Sequence, residues 1–527
     1  MPYPIFIKSN VWHKEGVIIN FHRLWVLAQA ELGYTLKTKR YRSFLGYVYV
    51  AATIVYLMSS ALHAFFSAFT ATISVGSPSY MIGTVGVVSL SIYGIGIIFM
   101  GFDIRARDVR ENIVEVLDCR PYYNSELVLG RFLGLFLSTW IPIVLLAFFL
   151  EILGFLLPLV GSPIGGSIEL LSLITYSVFM AVPSIAFCLS LVFLITISLR
   201  HRLFATIISV AALVLLIAAT FKLPASYVAL VDFTGAAQMK HPSELVHSVA
   251  KASAWLQRLG VLALAFGLLG LTMLLHPRLD DNRYKLQGMF AITGCVLGIF
   301  LLSFNSIQHQ NLLKHQAQWR EAHQARLNEP AVDIRTVKGS ITLFPGDLLT
   351  ANLELVVTAP PHQSLAQPLF TLNPGLKVQK VSNDDGEKLA FDHHNGLLDI
   401  KLSKPMAAGE QRRLTLIYKG RPNENFGYLD SAINTDNLSF REAQAGKVLG
   451  FERVVFDSRY IALLPGTAWF PLPGADVARD DMQRRSKDFF NLDLTVEVPA
   501  NWLVAGPGKR YKLETKEKRT KFRFAPD

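Results

Sequence analysis

The sequence predicts a membrane-embedded all-α bundle of about seven transmembrane helices, followed by an extracytoplasmic all-β domain of sandwich or saddle type. Three observations predict it. Seven stretches within the first 304 residues are apolar over the roughly 20 residues that a bilayer-crossing helix needs. Charge is unevenly divided: residues 1–304 hold 21 Lys+Arg and 14 Asp+Glu, whereas residues 305–527 hold 30 and 26. From Asp333 onward the hydrophobic pattern takes the two-residue period of half-buried strands. The totals agree, since 51% of the 527 residues are hydrophobic and only 17% charged, with mean hydropathy +0.35. Soluble proteins carry roughly a quarter charged residues, so a disordered chain and a wholly soluble one are both excluded. The net charge of +11 reflects basic residues gathered between spans, and no nucleic-acid partner is expected.

Residues 1–43 read as a cytoplasmic arm, in which Ile18–Leu32 is amphipathic and broken by His22, Arg23, Gln29 and Glu31. That pattern fits a helix lying in the membrane interface rather than a signal peptide. The membrane domain covers 44–304. Its spans are Phe44–Thr70, Met81–Phe102, Phe132–Leu157, Leu170–Ser198, Leu203–Phe221, Leu259–His276 and Leu286–Phe304. Basic residues set the orientation. With the N-terminus in the cytoplasm, 17 Lys/Arg of this region lie inside and four outside (Lys222, Lys240, Lys251 and Arg258). Seven spans then place the chain after Phe304 in the periplasm or extracytoplasmic space, with the bundle in a bacterial inner (plasma) membrane. Cys119, Cys188 and Cys295 form no CxxC pair, so neither a disulfide framework nor a thiolate metal site is expected.

The cytoplasmic loop 103–131 carries the most information. Val109, Ile113, Val116 and Leu117 recur at helical spacing, while Asp108, Glu111, Glu115 and Asp118 line another face and Pro121 ends the helix. Read from residues alone, it is a solvated basic loop at least as readily as a docking element for a cytosolic partner. Inside the spans, Glu151 lies in the outer part of the third and His63 toward the outer end of the first. An intramembrane ionisable group is a functional candidate, so Glu151 is a candidate contact on a substrate path; snorkelling or a place at a dimer seam is the alternative.

Residues 305–332 read as a polar helical stalk. Its His309, His315 and His323 are separated by six and eight positions, which does not supply the i,i+3 or i,i+4 spacing of helical metal ligands. The remainder, 333–527, is the β-domain, of roughly ten strands. Leu353, Leu355 and Val357 alternate with Asn352, Glu354 and Val356; Leu414–Tyr418 and Leu492–Val498 repeat the pattern. Asn395-Gly396 between Leu389–Phe391 and Leu397–Leu402 marks a type I′ hairpin turn, with His393-His394 at a solvated tip. The basic tail from Lys509 to Arg523 reads as an outward strand face, with contact to anionic headgroups as the alternative.

The order of the first part resembles that of ABC-2-type permeases, the membrane subunits of a large class of ATP-driven exporters. The matching residues are Arg107-Asp108, Arg110-Glu111, Pro121 and Gly130-Arg131, with Arg where Lys is customary. This resemblance covers about 18–276 and implies six spans, the seventh returning the chain outside. It implies that Arg107, Asp108, Val109, Arg110, Glu111, Ile113 and Glu115 contact a separate ATP-binding subunit. It also implies a second permease copy, as homodimer or heterodimer. No G-x-x-x-x-G-K-[ST] phosphate loop occurs in the chain.

A second resemblance rests on Leu372-Asn-Pro-Gly-Leu-Lys-Val378, Ala408-Gly, Leu414–Gly420, Ala468-Trp-Phe-Pro471, Asn491–Pro499 and Val504-Ala-Gly506. Over about 335–525 these are similar to the N-terminal β-saddle of the aminopeptidase-N (M1) family of zinc peptidases. A permease fused to such a module resembles a known bacterial architecture. The chemistry of that family needs H-E-x-x-H, with two His and a later Glu on zinc. None of the 13 histidines here is followed by Glu, and the Gly-x-Met-Glu-Asn loop is missing. The resemblance therefore implies a fragment, a split gene product or a degenerate relative, with no catalytic residue, metal or cofactor of its own. The expected function is a permease subunit of an ABC exporter. The alternatives are the membrane-anchored part of a zinc aminopeptidase, or a non-transporting envelope scaffold.

Overall fold

A computed structural model describes residues 20–69, 78–102, 107, 123–161, 168, 170–199, 201–236, 252–276, 284–426, 454–458, 460–463, 467–475, 489–516 and 518–526. The chain divides into two compact units. The helical one runs to Asn305 and the sheet-rich one from Ser306, with Phe221–Val228 grouped with the second.

The helical elements are α1 Phe21–Lys37, α2 Lys39–Phe69, α3 Pro78–Gly101, α4 Asn124–Leu156, α5 Ala181–Ser198, α6 Arg202–Lys222, α7 Ala225–Val231, α8 Ala252–Leu275 and α9 Tyr284–Ala325. Six helical stretches are long and apolar enough to cross a membrane, within α2, α4, α5 with its preceding turn, α6, α8 and α9. The predicted second span, α3, contributes Val85–Gly101 as a shorter apolar stretch; its 17 residues fall at the lower bound for crossing. Large apolar side chains face outward along the spans, as with Tyr47, Leu203 and Leu215, because in a bilayer the surroundings are as apolar as the core. Glycines allow close helix crossings, as where Gly267 of α8 faces Gly294 of α9.

Backbone polarity inside lipid must be satisfied internally, and the breaks in the spans show how. Pro142, within α4, has no N–H to give to the carbonyl of Ser138 four residues earlier. The Tyr41 hydroxyl of α2 donates to that carbonyl instead, and Tyr49 donates to the Pro142 carbonyl at 2.8 Å. Ahead of α5 the chain takes a π-helical turn over Thr175–Met180, where Trp140 of α4 donates to the Ser177 carbonyl at 2.8 Å.

The second unit holds thirteen strands among the described residues, more than the ten or so predicted. They are β1 Asp333–Phe344, β2 Leu348–Thr358, β3 Leu369–Thr371, β4 Leu376–Ser382, β5 Ala390–His394, β6 Leu397–Lys401, β7 Gln411–Gly420, β8 Val454–Phe456, β9 Ile461–Leu463, β10 Leu472–Pro473, β11 Asn491–Pro499, β12 Lys509–Lys516 and β13 Arg519–Ala525. Seven form one sheet in the order β12-β13-β11-β1-β2-β7-β4, four a second in the order β10-β3-β6-β5, and β8 pairs with β9. All pairings are antiparallel except β1 with β11. Leu349, Leu353, Leu355 and Val357 of β2 share one core with Phe370 of β3 and Leu398 of β6, so the two sheets pack face to face. Asn395 and Gly396 have φ of 52° and 78°, the positive values that the predicted two-residue turn requires.

At 42 residues, α9 is about 60 Å long, twice the roughly 30 Å of bilayer hydrocarbon. Its apolar half ends near Phe304. In its polar half, Trp319 meets Phe426 edge-to-face at 5.5 Å and Gln316 donates to the Asn425 carbonyl at 3.0 Å.

Candidate functional site

The start of α4 is where the helical unit gathers its charged and small residues. Asn20 caps α1, its side chain accepting from the backbone N–H of His22 and Arg23. Glu126, in the first turn of α4 and fully buried, accepts from the Asn20 N–H at 2.9 Å and the Tyr123 N–H at 3.1 Å. One carboxylate thus ties the beginnings of two helices, with the charge placed where helix N-termini favour it. One turn on, Gly130 and Gly134 leave α4 without side chains where α1 lies against it. A methyl group at Gly130 would stand 2.6 Å from Leu27 Cβ, and one at Gly134 2.6 Å from the Ala28 carbonyl. This is the small-xxx-small geometry of close helix pairs.

Arg107 reaches into the same node. Its guanidinium meets Glu31 of α1 in a two-pronged pair at 3.0 and 2.7 Å and lies 4.4 Å over the Tyr34 ring. Both partners are largely shielded from solvent, where a bidentate pair is strongest. The remaining predicted ATPase-contact residues, Asp108, Val109, Arg110, Glu111, Ile113 and Glu115, lie outside the described residues, as does the side chain of His63. Arg131 is buried and lines a small cavity with Gly101, Phe193, Thr196 and His276.

Glu151 is fully buried on α4, and Tyr56 is fully buried on α2. Glu151 neither snorkels nor faces outward from the single chain.

Arg258 was missed as a site residue. The predicted span began one residue after it and counted it among outer-face charges, but the structure corrects this: it is 2% exposed within α8. Its Nε donates to Gln257 Oε1 at 2.9 Å, and its two terminal nitrogens donate to the carbonyls of Phe233 and Asp232 just after α7. Gln257 donates to the carbonyls of Ala229 and Asp232, and Asp232 Oδ1 accepts from Thr234 and Gly235. Burial of a guanidinium requires all its donors to be satisfied, and the Gln257 side chain together with the two carbonyls that follow α7 satisfies them. The signal was the adjacent Gln257-Arg258 pair heading an apolar run.

In the second unit, the residues carrying the peptidase resemblance are packing residues. Asn373, fully buried, donates to the carbonyls of Thr467 and Asn423 and accepts from Gly375 and Asn423. Tyr418 donates to the Trp469 carbonyl at 2.9 Å. The hairpin tip predicted as solvated is partly covered. His393 is half-buried and bonds the Leu372 carbonyl at 3.1 Å, while His323 of α9 bonds the Asn395 carbonyl at 3.1 Å and rests beside Phe426. Burial pushes His323 down to about 4; its bond to Asn395 opposes this and the charge of Arg326 adds to it. Burial also lowers His393. Among the described residues no three His, Cys, Asp or Glu side chains gather as a metal site would need. On the basic tail, Arg519 pairs with Glu497, Lys521 with Glu514 and Arg523 with Asp493. The Arg523 guanidinium beside Asp493 holds that carboxyl below its ordinary value. The tail is therefore a ladder of ion pairs more than a bare cationic face.

No family model matches the sequence, and no curated protein matches it. Among solved structures, the M1 zinc metallopeptidase of Deinococcus radiodurans is similar at 16% identity and a TM-score of 0.29, over 37% of this chain and 39% of that one. A mutant of the same enzyme bound to a Tyr-Ser-Ala substrate gives 17% identity over the same shares, with a TM-score of 0.29. So does a mutant of a two-domain M1 zinc metallopeptidase bound to L-arginine. The chain thus spans well under half the length of these relatives.

Proposed function

We propose that this chain is the membrane-spanning permease subunit of an ABC-type transporter working in the export direction, driven by a separate ATP-binding subunit and paired with a second permease copy. The N-terminus would lie in the cytoplasm of a bacterial cell and the β-domain outside its inner membrane. One observation carries the reading: α1, Arg107 and the start of α4 interlock through Glu31, Glu126 and the Gly130–Gly134 face. A segment between two spans that is braced onto an interfacial helix and the next span can pass force into the bundle. A simple anchor has no use for that brace. In this role the 108–115 segment receives the ATP-binding subunit, and Arg107 joins it to the bundle rather than meeting the partner directly. Glu151 remains the candidate contact on the substrate path.

The test is co-purification of full-length protein with an ATP-binding subunit, and stimulation of ATPase activity in the pair. Val109→Asp with Ile113→Asp should abolish the association while leaving the helical unit folded. Retention of the association in that variant would overturn the docking assignment, and failure to find any ATPase partner would overturn the transport reading. A second reading is that the helical unit holds a peptidase-like module at the membrane as part of a zinc aminopeptidase or scaffold. It is favoured by the motif residues around Asn373 and Trp469, and by the absence of H-E-x-x-H it would need a catalytic part not found among these residues.

A further inference from the structure

We propose that the junction of α1 and α2 is a recognition surface for anionic phospholipid headgroups, formed by Lys37, Lys39 and Arg40 and bordered by Leu36 and Tyr47. It is independent of the transport reading.

Charge is the first ground. From Asn20 to Phe102 the chain carries five Lys/Arg (Arg23, Lys37, Lys39, Arg40 and Arg42) and one acid, Glu31. Glu31 is buried and held by Arg107, so this stretch presents no exposed carboxylate, while Lys37, Lys39, Arg40 and Arg42 are exposed. Arg42 also donates to the Leu36 carbonyl at 3.0 Å, binding the start of α2 to the end of α1 and keeping the cations together.

Position is the second ground, and it selects a lipid over an acidic protein. At 100° per residue, Arg40, Tyr47, Ile54 and Met58 fall on one face of α2, and Lys39, Val50 and Leu57 fall beside them. That face is turned outward, with Tyr47, Val50 and Met58 each at least 60% exposed. Along it the order is cation, phenol, then aliphatic, which is the order of headgroup, interface and acyl chain in a bilayer. On α1, Phe21, Trp25 and Leu36 share another outward stripe, the apolar face of a helix lying in the interface. Cations at the polar end of a lipid-facing stripe meet phosphate headgroups before any soluble surface.

The experiment is native mass spectrometry of the full-length protein released from micelles doped with equal phosphatidylglycerol and phosphatidylcholine. The wild type should retain phosphatidylglycerol preferentially. Lys37→Gln with Lys39→Gln and Arg40→Gln should lower its retention at least tenfold, since each basic residue near an anionic surface contributes about fivefold, and leave phosphatidylcholine unchanged. Lys314→Gln with Lys401→Gln, exposed on the sheet-rich unit, should have no effect. Equal retention of both lipids by the wild type, or an unaltered preference in the triple variant, overturns the proposal. So does polyglutamate binding through these three residues in place of phosphatidylglycerol, which would assign the surface to an acidic protein. Should the triple variant fail to fold, quenching of the added indole in Tyr47→Trp proteoliposomes decides, read against the unaltered protein. Brominated phosphatidylglycerol must quench more than brominated phosphatidylcholine, and equal quenching rejects the assignment.

Discussion

Arg258 and His323 place an ionisable side chain out of water in opposite ways. Arg258 stays charged because its donors reach the Gln257 side chain on α8 and the carbonyls of Asp232 and Phe233 just after α7. Removing it would leave the buried carbonyls of Asp232 and Phe233 with only Gln257 and Ser184 as donors, and Gln257 Oε1 without the guanidinium, losses that are costly away from water. Arg258→Ala should therefore destabilise the helical unit by roughly 3–5 kcal/mol, and Arg258→Lys should recover only part, since an ammonium cannot reproduce the fork. Thermal unfolding in detergent reads both; a shift as small as that of a surface substitution would show that the network is not what holds α7. His323 stays neutral, pushed down to about 4. Because its folded value lies below the ordinary 6.5, the unfolded chain takes up the proton first. The stability it confers is full above about pH 6.5 and declines as pH falls toward 4, by about 3 kcal/mol in all. Unfolding of the second unit followed by Trp fluorescence from pH 7.5 to 4.5 should show this decline, and His323→Gln should flatten it. Identical slopes in both would refute the assignment. Neither role was legible in the sequence. Arg258 looked like one more loop cation, and His323 like one of three histidines on a polar helix, because the groups that bury them come from Asp232–Phe233 and from Phe426 with Asn395.

At the level of elements, α1 is held by a surface cut into α4 to receive it. Gly134→Leu should force the two apart, at a cost of about 1–3 kcal/mol for overpacking. A cysteine in place of Ala28, buried in the native unit, should then react with a membrane-impermeant maleimide that it resists when α4 is unaltered. Unchanged labelling would mean that the two helices do not depend on this face. The sequence showed α1 as an amphipathic helix and flagged Gly130-Arg131, since periodicity is a local property. What Gly130 and Gly134 were for was hidden, because Leu27 and Ala28 lie a hundred positions away. Tyr41 and Pro142 teach the same lesson: a proline in a span announces an unbonded carbonyl but not the hydroxyl that reaches it. The turn at Asn395-Gly396 was legible, because turn chemistry needs no distant partner, but the cover that His323 gives its tip was not.

For the whole molecule, the division near Asn305 was visible in charge and hydropathy alone, and the two units have separate cores. The polar half of α9 belongs with the β-domain, where Trp319, Gln316 and His323 pack on Phe426, Asn425 and Asn395. A segment of residues 306–527 should therefore unfold cooperatively on its own. A segment of 333–527, stripped of that helix, should melt several degrees lower, since burial of Trp319 alone is worth about 2–3 kcal/mol. Equal melting temperatures would show the helix to be a passive tether. The strand count and the seven-stranded order were out of reach of sequence reading, because β1 and β11 pair across most of the domain.

That parallel pair sets a timetable. Thr336 of β1 lies beside Asn491 of β11, roughly 150 positions later, and β1 is a central strand whose other neighbour, β2, follows at once. As the chain emerges vectorially, β1 and β2 can zip together early while one flank of β1 waits, open, for most of the domain to arrive. Long-range closure of this kind is slow, and an open flank invites pairing with a foreign strand. The interval before β11 arrives is thus the stage at which this domain is most exposed to mispairing, and a holdase or the pace of synthesis would matter more to its yield than its final stability.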